Sequence, residues 1–374
     1  MKVLSLFDGM SCGRIALDRL GIAVDTYYAS EIDKYAIEVA QKNYPDTIHV
    51  GDVTQLNADD FQDVDLILAG SPCQGFSFAG KQLAFDDPRS ALFFEFIRLL
   101  KAIKPKYFLL ENVKMKKEFL EVITDQVSAC YPEFQGHDLF GGRIEPILIN
   151  SSLVSAQSRQ RYYWTNIPNI QQPEDKGIIL RDILETDAIS DEFIHGQKSV
   201  DYMNRGNEKW QQAGNRRADR YEQSADKEKS FAITANWHKG VPYNYFKETK
   251  PKQVGIASDI NGHDILKRVY SPDGKSPTLN TMGGGNREPK VMVSEIREKS
   301  KTVRSGGRDS YDRHEWDSVD ELHWRKLTPL ECERLQTVPD NYTNHVSNTQ
   351  RYKMLGNGWT VDVIAHILNN MENL

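Results

Sequence analysis

Short apolar blocks separated by polar turns dominate the first 70 residues. Lys2 to Phe7 reads as a strand, followed by the turn-rich FDGMSCG and then by Ile15, Ala16, Leu17 and Leu20 at the 3.6-residue spacing of a helix. A second strand ends near Ala29 and Ser30, with Glu31 and Asp33 directly after it. Tyr35 to Tyr44 has helical composition and stops before Pro45. Ile48 to Val50 predicts a third strand ending in Gly51 and Asp52, and Val64 to Ala69 a fourth that runs into Gly-Ser-Pro-Cys. Strands recurring with helices between them predict an α/β fold with a parallel, doubly wound sheet. Ligands of such sheets sit at the carboxyl ends of strands, where Asp8, Glu31, Asp52 and Cys73 fall.

The pattern continues through a helix expected over Arg89 to Ala102, a strand at Tyr107 to Leu110 and strand-like text at Pro146 to Asn150. After about residue 166 the chain becomes rich in Gly, Asn, Gln, Asp, Lys and Arg, with short apolar stretches that suit small strands or loops. Organised text returns near the end. Thr328 can cap a helix with Pro329 at its first position and Glu331 three residues after the cap, and a last helix is expected from Val361 to Met371. The expected organisation is one domain split by an insertion: residues 1–165, an inserted domain at 166–320, and a return at 321–374.

A chain of 374 residues suits about two domains. Its 39% hydrophobic, 27% charged and 10% aromatic residues describe an ordinary globular protein. MKVLSLFDGM meets Asp8 too early for a secretory signal, and no stretch approaches a membrane span, so an intracellular, cytoplasmic protein without a membrane partner is expected. The four cysteines, Cys12, Cys73, Cys130 and Cys332, lie far apart, which argues against a disulfide scaffold and against a cysteine-rich metal site; no metal is expected. A formal net charge of −6 does not advertise a polyanion partner but says nothing of a local cleft.

In FDGMSCG, Gly9 and Gly13 let backbone approach a ligand, with a helix N-terminus behind them, although the segment fails the dinucleotide pattern GxGxxG. Glu31 follows at close to the roughly 20-residue offset of an acid that takes ribose hydroxyls, and Asp52 could meet an adenine amino group. A solvated acid at each strand end is the competing reading. Acids such as Asp8 and Glu31 suit a sulfonium donor better than a pyrophosphate, which asks for positive charge. SPCQGFS places Cys73 in a turn stiffened by Pro72 and opened by Gly75, whereas the other three cysteines read as small buried hydrophobes. LLENV ends a strand on Glu111 and Asn112, candidates for proton handling or plain structural polar groups. QSRQR sets Gln157, Arg159 and Arg161 at alternate positions, so an extended segment turns all three the same way, toward a base and phosphate or toward solvent.

Taken together these segments resemble one family, the DNA cytosine-5 methyltransferases. The resemblance runs from Leu6 to about Trp164 and from about Pro272 to Ile367, through FDGMSCG, Glu31, GDV at 51–53, SPCQGFS, ENV, the QxRxR segment, RKLTPLECERLQTVPD and LGNGWTV, in the family's order. It implies a Rossmann-like S-adenosylmethionine-dependent fold with an inserted target-recognition domain. It implies Cys73 as nucleophile, Glu111 at the N3 and amino edge of cytosine, and Arg159 and Arg161 orienting the base or the reacting complex. On the donor side it implies Phe7 against the adenine, Gly9, Glu31 and Asp52 shaping the pocket, and Asn357 closing it. The motif neighbours Asp8, Gly13, Ile32, Val53, Pro72, Gly358 and Trp359 are placed on that side as well. Gln74, Ser77, Asn112, Gln157, Thr278 and Gly284 are expected to contact the nucleic acid.

Phe76, Ser77 and the Gly80 to Pro88 stretch are expected to form a loop that closes over a flipped base, with Lys81 and Arg89 as phosphate candidates. In the insertion, Arg205, Lys209, Arg216, Arg217 and Arg220 offer phosphate or base contacts, and Asn215, Asn236 and His238 offer base-edge readers. The opening carries Ser11 and Cys12 where glycine is commoner, which, like LFFEFIRLL, is nearer to the vertebrate de novo branch. SPCQGFS looks like the bacterial and phage members, and Leu110 stands before ENV in place of the usual proline. The expected substrate is double-stranded DNA. Transfer RNA is the first alternative and a catalytically silent DNA-binding protein the second. A compact bacterial or phage enzyme acting as a monomer is expected, with a cognate restriction endonuclease as a possible genetic partner.

Overall fold

The computed structural model describes residues 1–71, 91–134, 142–185, 253–256, 268–279, 289–294 and 322–372. The chain divides into two compact units: Met1–Glu185 with Ser276–Glu288 and Thr328–Leu374, and Thr186–Lys275 with Pro289–Leu327.

The first unit is built on a seven-stranded sheet. Its strands are β1 (Lys2–Leu6), β2 (Thr26–Ser30), β3 (Ile48–His49), β4 (Leu66–Ala69), β5 (Tyr107–Val113), β6 (Ile147–Asn150) and β7 (Gln160–Thr165), in the order β3-β2-β1-β4-β5-β7-β6. The first five pair in parallel, so the order reverses at β1, which has β2 on one side and β4 on the other. Helices α1 (Cys12–Arg19), α2 (Lys34–Asn43), α3 (Ala91–Ile103) and α4 (Lys117–Ser128) connect them.

Burial explains the layering. All four residues of β4 are buried, as expected for a central strand covered on both faces. Leu4, Leu6, Ile67, Ala69, Phe108 and Leu110 form one face and share a core with Phe93, Phe96, Leu99 and Leu100 of α3 and with Ile123 and Val127 of α4. On the opposite face α1 lies so close that a Cβ on Gly13 would stand 2.4 Å from Leu68 Cδ1, so glycine is what lets the helix settle there.

The sequence reading missed β7 as a strand. It pairs antiparallel with both β5 and β6, a departure from the all-parallel expectation. The link from β6 to β7 carries no crossover helix, only the short 3-10 turn Ser151–Leu153, and so short a connection returns the chain antiparallel. The boundaries expected at residues 165 and 320 also differ from those seen. Residues 166–185 and 276–288 cluster with the first unit, the latter because Ser276 and Gln157 form a parallel bridge beside β7.

The second unit carries β8 (Gln253–Ile256), β9 (Arg268–Tyr270), β10 (Lys290–Ser294) and β11 (Leu322–Lys326), in the order β11-β10-β9-β8. The β9–β10 pair is parallel and the two outer pairs are antiparallel.

The first unit also contains the short helix α5 (Leu180–Ile183) and resumes with α6 (Pro329–Leu335), α7 (Asn348–Asn357) and α8 (Val361–Leu368). The capping box is present as expected: Thr328 Oγ1 accepts from the Glu331 amide, and Glu331 Oε2 accepts from the Thr328 amide. The expected last helix is α8, ending at Leu368. Among the described residues no helix is long and apolar enough to cross a membrane, and no group of three His, Cys, Asp or Glu side chains is placed to hold a metal.

Glu333 of α6 is fully buried, accepts from the amides of Asn341 and Thr343, and lies 3.1 Å from Arg351 Nη2 of α7. Removing one partner of a buried pair leaves the other charge uncompensated. Glu333→Ala is expected to destabilise the protein by roughly 3–5 kcal/mol, read as a lower urea midpoint with an unchanged slope.

Candidate active site

The register brings the strand ends into one row. Leu6 pairs with both Ser30 and Ala69, and Ala69 pairs with Leu110, so the segments after β1, β2 and β4 and the last residues of β5 emerge together at the carboxyl edge. This is where the strand order reverses, the usual ligand crevice of such sheets.

On the β1 side the backbone is unusual. Phe7, Gly9 and Ser11 have φ of 57°, 60° and 63°, a left-handed conformation that is costly for the two non-glycine residues. Asp8 holds it. Its carboxylate accepts from Ser11 Oγ at 2.5 Å and from Tyr27 OH at 2.8 Å and is buried, so its oxygens are turned to the interior. Asp8 therefore shapes the loop expected on the donor side. Burial pushes its pKa up to about 6, with the hydrogen bonds from Ser11, Ser5 and Tyr27 acting in the opposite direction.

Glu31 ties the β1 and β2 ends together. Its Oε2 accepts from the Gly9 amide at 2.8 Å and its Oε1 from the amides of Ile32 and Asp33. A carboxylate offers about four lone-pair sites, so an acceptor remains for a ligand hydroxyl. Ile32 beside it is 76% exposed, an apolar side chain left uncovered at the pocket edge. Asp52 is exposed, accepts from the Thr54 amide, and precedes buried Val53. An acceptor carboxylate, a bare apolar side chain and a second exposed acid fit ribose, adenine ring and adenine amine, with a cationic sulfonium in place of phosphates.

The C-terminal return completes this side. Asn357 is the exposed last residue of α7. A Cβ on Gly358 would stand 2.9 Å from Met10 Cε, and one on Gly70 would stand 2.8 Å from Trp359 Nε1. The turn thus lies on the FDGMSCG loop, and the Trp359 ring covers the end of β4. Tyr342 OH donates to the Met10 carbonyl, a contact the sequence reading did not single out. Cys12 is buried beneath the loop, and burial raises its pKa to about 12, so it stays a thiol. Cys130 and Cys332 are buried as well.

On the β5 side, Glu111 is 8% exposed and Arg161 Nε lies 2.9 Å from its Oε1. The pair follows from register: Glu111 is opposite Tyr163, so Arg161, two residues away on β7, projects from the same face on the diagonal. The Nε hydrogen itself has no hydrogen-bond partner, so the contact is one of charge. Buried Asn112 donates from Nδ2 to Ser71 Oγ at 3.1 Å and so ties β5 to the segment that follows β4. Gln157 and Arg159 share the alternation but turn inward. Gln157 is fully buried, with Nε2 toward Leu335 O and Gln336 Oε1 and with Oε1 accepting from the Leu279 amide. Arg159 directs its guanidinium to the carbonyls of Leu279, Gly356 and Gly358. Both brace one chain segment against another. Thr278, half-buried, donates to Ser158 O. Pro72, Cys73, Gln74, Phe76, Ser77, Lys81, Arg89 and Gly284 lie outside the described residues, as do Arg205, Lys209, Asn215, Arg216, Arg217, Arg220, Asn236 and His238.

A sheet of this order with a donor crevice at β1 defines a Rossmann-like S-adenosylmethionine-dependent methyltransferase with an inserted domain. The chain belongs to the C-5 cytosine-specific DNA methylase family, whose model matches residues 1–373. It is 29% identical to the orphan methyltransferase M.SPBetaI of Bacillus phage SPbeta, across 99% of this chain and 97% of that protein. It is 27% identical to the type II methyltransferase M.HhaI of Haemophilus parahaemolyticus, across 99% and 94%. Among solved structures it resembles a DNMT2 mutant of Spodoptera frugiperda with a TM-score of 0.59 and 20% identity, across 99% and 98% of the two chains, a likeness of fold. The chain is thus a cytosine-5 methyltransferase of nucleic acid that uses S-adenosylmethionine.

A buried carboxyl with a raised pKa contributes stability that is fully present below its unfolded value, about 3.8, and is lost as pH rises through about 6. Over that window the loss is on the order of 2–3 kcal/mol. Asp8→Asn is therefore expected to flatten the fall in unfolding free energy between pH 4 and pH 7; an identical slope in wild type and variant would assign the dependence to other groups.

Proposed function

We propose that the protein transfers a methyl group to C5 of a flipped cytosine in a specific sequence of double-stranded DNA. The observation that carries this reading is the Glu111–Arg161 pair at the end of β5, with Asn112 tied to Ser71 two residues before Cys73. A carboxyl group and a guanidinium are thereby held at the carboxyl edge of the sheet, beside the donor crevice. Support for DNA comes from the family description and from full-length relatives named as orphan and type II methyltransferases. The bacterial and phage affinity rests on those relatives, and the likeness of FDGMSCG to the vertebrate de novo branch adds nothing to it.

C5 of cytosine is a poor nucleophile. The Cys73 thiolate adds to C6, forming the sulfur–carbon bond and pushing the C5–C6 double-bond electrons into the ring, so that C5 becomes nucleophilic. Glu111 hydrogen bonds to N3 and the amino group and stabilises the charge that collects there, with Arg161 orienting its carboxyl. S-adenosylmethionine supplies the electrophilic methyl and leaves as a neutral thioether. A base, for which a water chain suffices, then takes the C5 proton; the electron pair restores the C5–C6 double bond and expels Cys73. Because C5 and C6 are inaccessible in a stacked duplex, the base must leave the stack, at a cost of a few kcal/mol. The loop after Cys73, with Gln74, Ser77, Lys81 and Arg89, closes over it. The second unit supplies target recognition, together with Gly284. Phe7, Ile32, Asp52, Val53, Pro72 and Asn357 complete the donor site. The setting is the cytoplasm of a bacterial or phage-infected cell, with the enzyme a monomer and a restriction endonuclease as its possible genetic partner.

The second reading is transfer to a transfer RNA cytosine, which asks for the same chemistry at C5 and C6. Tritiated methyl transfer to mixed-sequence duplex DNA and to bulk transfer RNA separates the two. The expected result is label in 5-methylcytosine of DNA, reduced at least about a thousandfold by Cys73→Ala and roughly 10²–10⁴-fold by Glu111→Gln. Label confined to RNA would move the substrate, and donor and DNA binding without transfer to either would make the protein a silent binder.

A further inference from the structure

Arg159 is 3% exposed, and the fork of its guanidinium joins two segments far apart in sequence. Nη1 donates to Leu279 O at 3.0 Å, and Nη2 donates to Gly356 O at 3.3 Å and Gly358 O at 3.0 Å. Gly356 and Gly358 flank Asn357. Leu279 follows Thr278 on a segment laid along residues 156–158: Ser276 N donates to Ala156 O, Ser158 N to Ser276 O, and Thr278 Oγ1 to Ser158 O. Gln157 repeats the connection, since its Oε1 accepts from the Leu279 amide while its Nε2 reaches Leu335 O and Gln336 Oε1. Gln336 Nε2 in turn donates to Leu355 O and Gly358 O.

We propose that Arg159 is a positioning residue that holds the donor-side turn at Gly356–Gly358 and the target-side segment at Thr278–Leu279 as a single body, so that ordering one orders the other. The inference rests on the proposed function in taking Asn357 as a donor contact and Thr278 as a nucleic-acid contact. The chemistry requires arginine. A planar guanidinium reaches three carbonyls on two segments at fixed angles, whereas a lysine ammonium is a point charge on a flexible stem that cannot span the same fork. Burial adds weight, because Leu279 O and Gly356 O lose this donor in the interior, while Gly358 O keeps that of Gln336 Nε2. Arg161, two residues on, keeps its guanidinium beside Glu111. The alternate arginines thus divide the work, one at the reacting base and one beneath it.

Hydrogen exchange on the full-length wild-type chain tests this without any variant. S-adenosylhomocysteine alone, with no DNA present, is expected to slow exchange about fivefold or more, a typical coupling, at amides 278–279 as well as at 356–360. Protection confined to 356–360 would overturn the proposal. Absence of any binding of S-adenosylhomocysteine would instead strike the donor reading itself. Steady-state kinetics of Arg159→Lys supply a second arm: KM for S-adenosylmethionine and for duplex DNA are each expected to rise about tenfold, by more than kcat falls. A fall in kcat alone with both KM values unchanged would make Arg159 a catalytic group and overturn the positioning role.

Discussion

The C-terminal part of the first unit depends on how the chain re-registers against a sheet it has left. The first unit runs to Glu185, takes back Ser276–Glu288 and resumes at Thr328. Backbone that returns after so long an excursion brings buried amides and carbonyls that no local helix or strand satisfies. Buried side chains meet that need. Gln336 bridges Leu355 O, Gly358 O, Gln157 and Thr360; Thr360 also accepts from Ser151, and Ser155 donates to Leu335 O. Glu331 accepts from the amides of Glu185 and Thr328, so one carboxylate fixes the point of exit and the point of return. Such webs are costly when half made and rigid when complete. Completeness here is what lets the turn at Gly358 pack against Met10 and Cys12.

The donor crevice follows from a different constraint. Left-handed backbone at Phe7 and Ser11 is unfavourable by itself and persists where surrounding contacts over-determine it. Asp8 provides two of those contacts through Ser11 and Tyr27, and Glu31 provides a third by accepting from the Gly9 amide. The acid that lies deepest therefore maintains the loop, while the acid nearer solvent keeps acceptor capacity for a ligand. Two carboxylates a strand apart have separate tasks because their burial differs.

Much of this was legible in the sequence. Apolar blocks bounded by polar turns, helical composition and the 3.6-residue spacing at α1 located β1 to β6, α1 to α3 and α8 to within a few residues, and Thr328-Pro329 with Glu331 announced α6 through its cap. Glu31 could be placed because the offset from Gly9 in a βαβ unit is set by the length of one helix and two turns. What could not be read were directions that depend on partners distant in the chain. Gln157, Arg159 and Arg161 look equivalent in an extended segment, and alternation does put them on one face. Whether that face meets a base or the buried carbonyls of residues 279, 356 and 358 is decided by segments more than a hundred positions away. The polarity of β7 was hidden for the same reason, since a short apolar run carries no mark of parallel or antiparallel pairing. The direction of the Asp8 carboxylate was hidden as well, because a strand-end acid and a buried loop anchor share the same letter, and the one local hint, Ser11 three residues on, reads equally well as part of a glycine-like turn.

The same geometry explains how the first unit can carry an inserted unit within its own chain. The strand ends that make the donor crevice and the Glu111–Arg161 pair are fixed by parallel and antiparallel ladders within the first unit. What the insertion must preserve is its points of attachment, and these are held from the core side, by Glu331 at residues 185 and 328 and by Gln157 and Arg159 at residues 276–279. The anchors are not free to change, because each is a buried polar group whose loss leaves several unsatisfied partners at once.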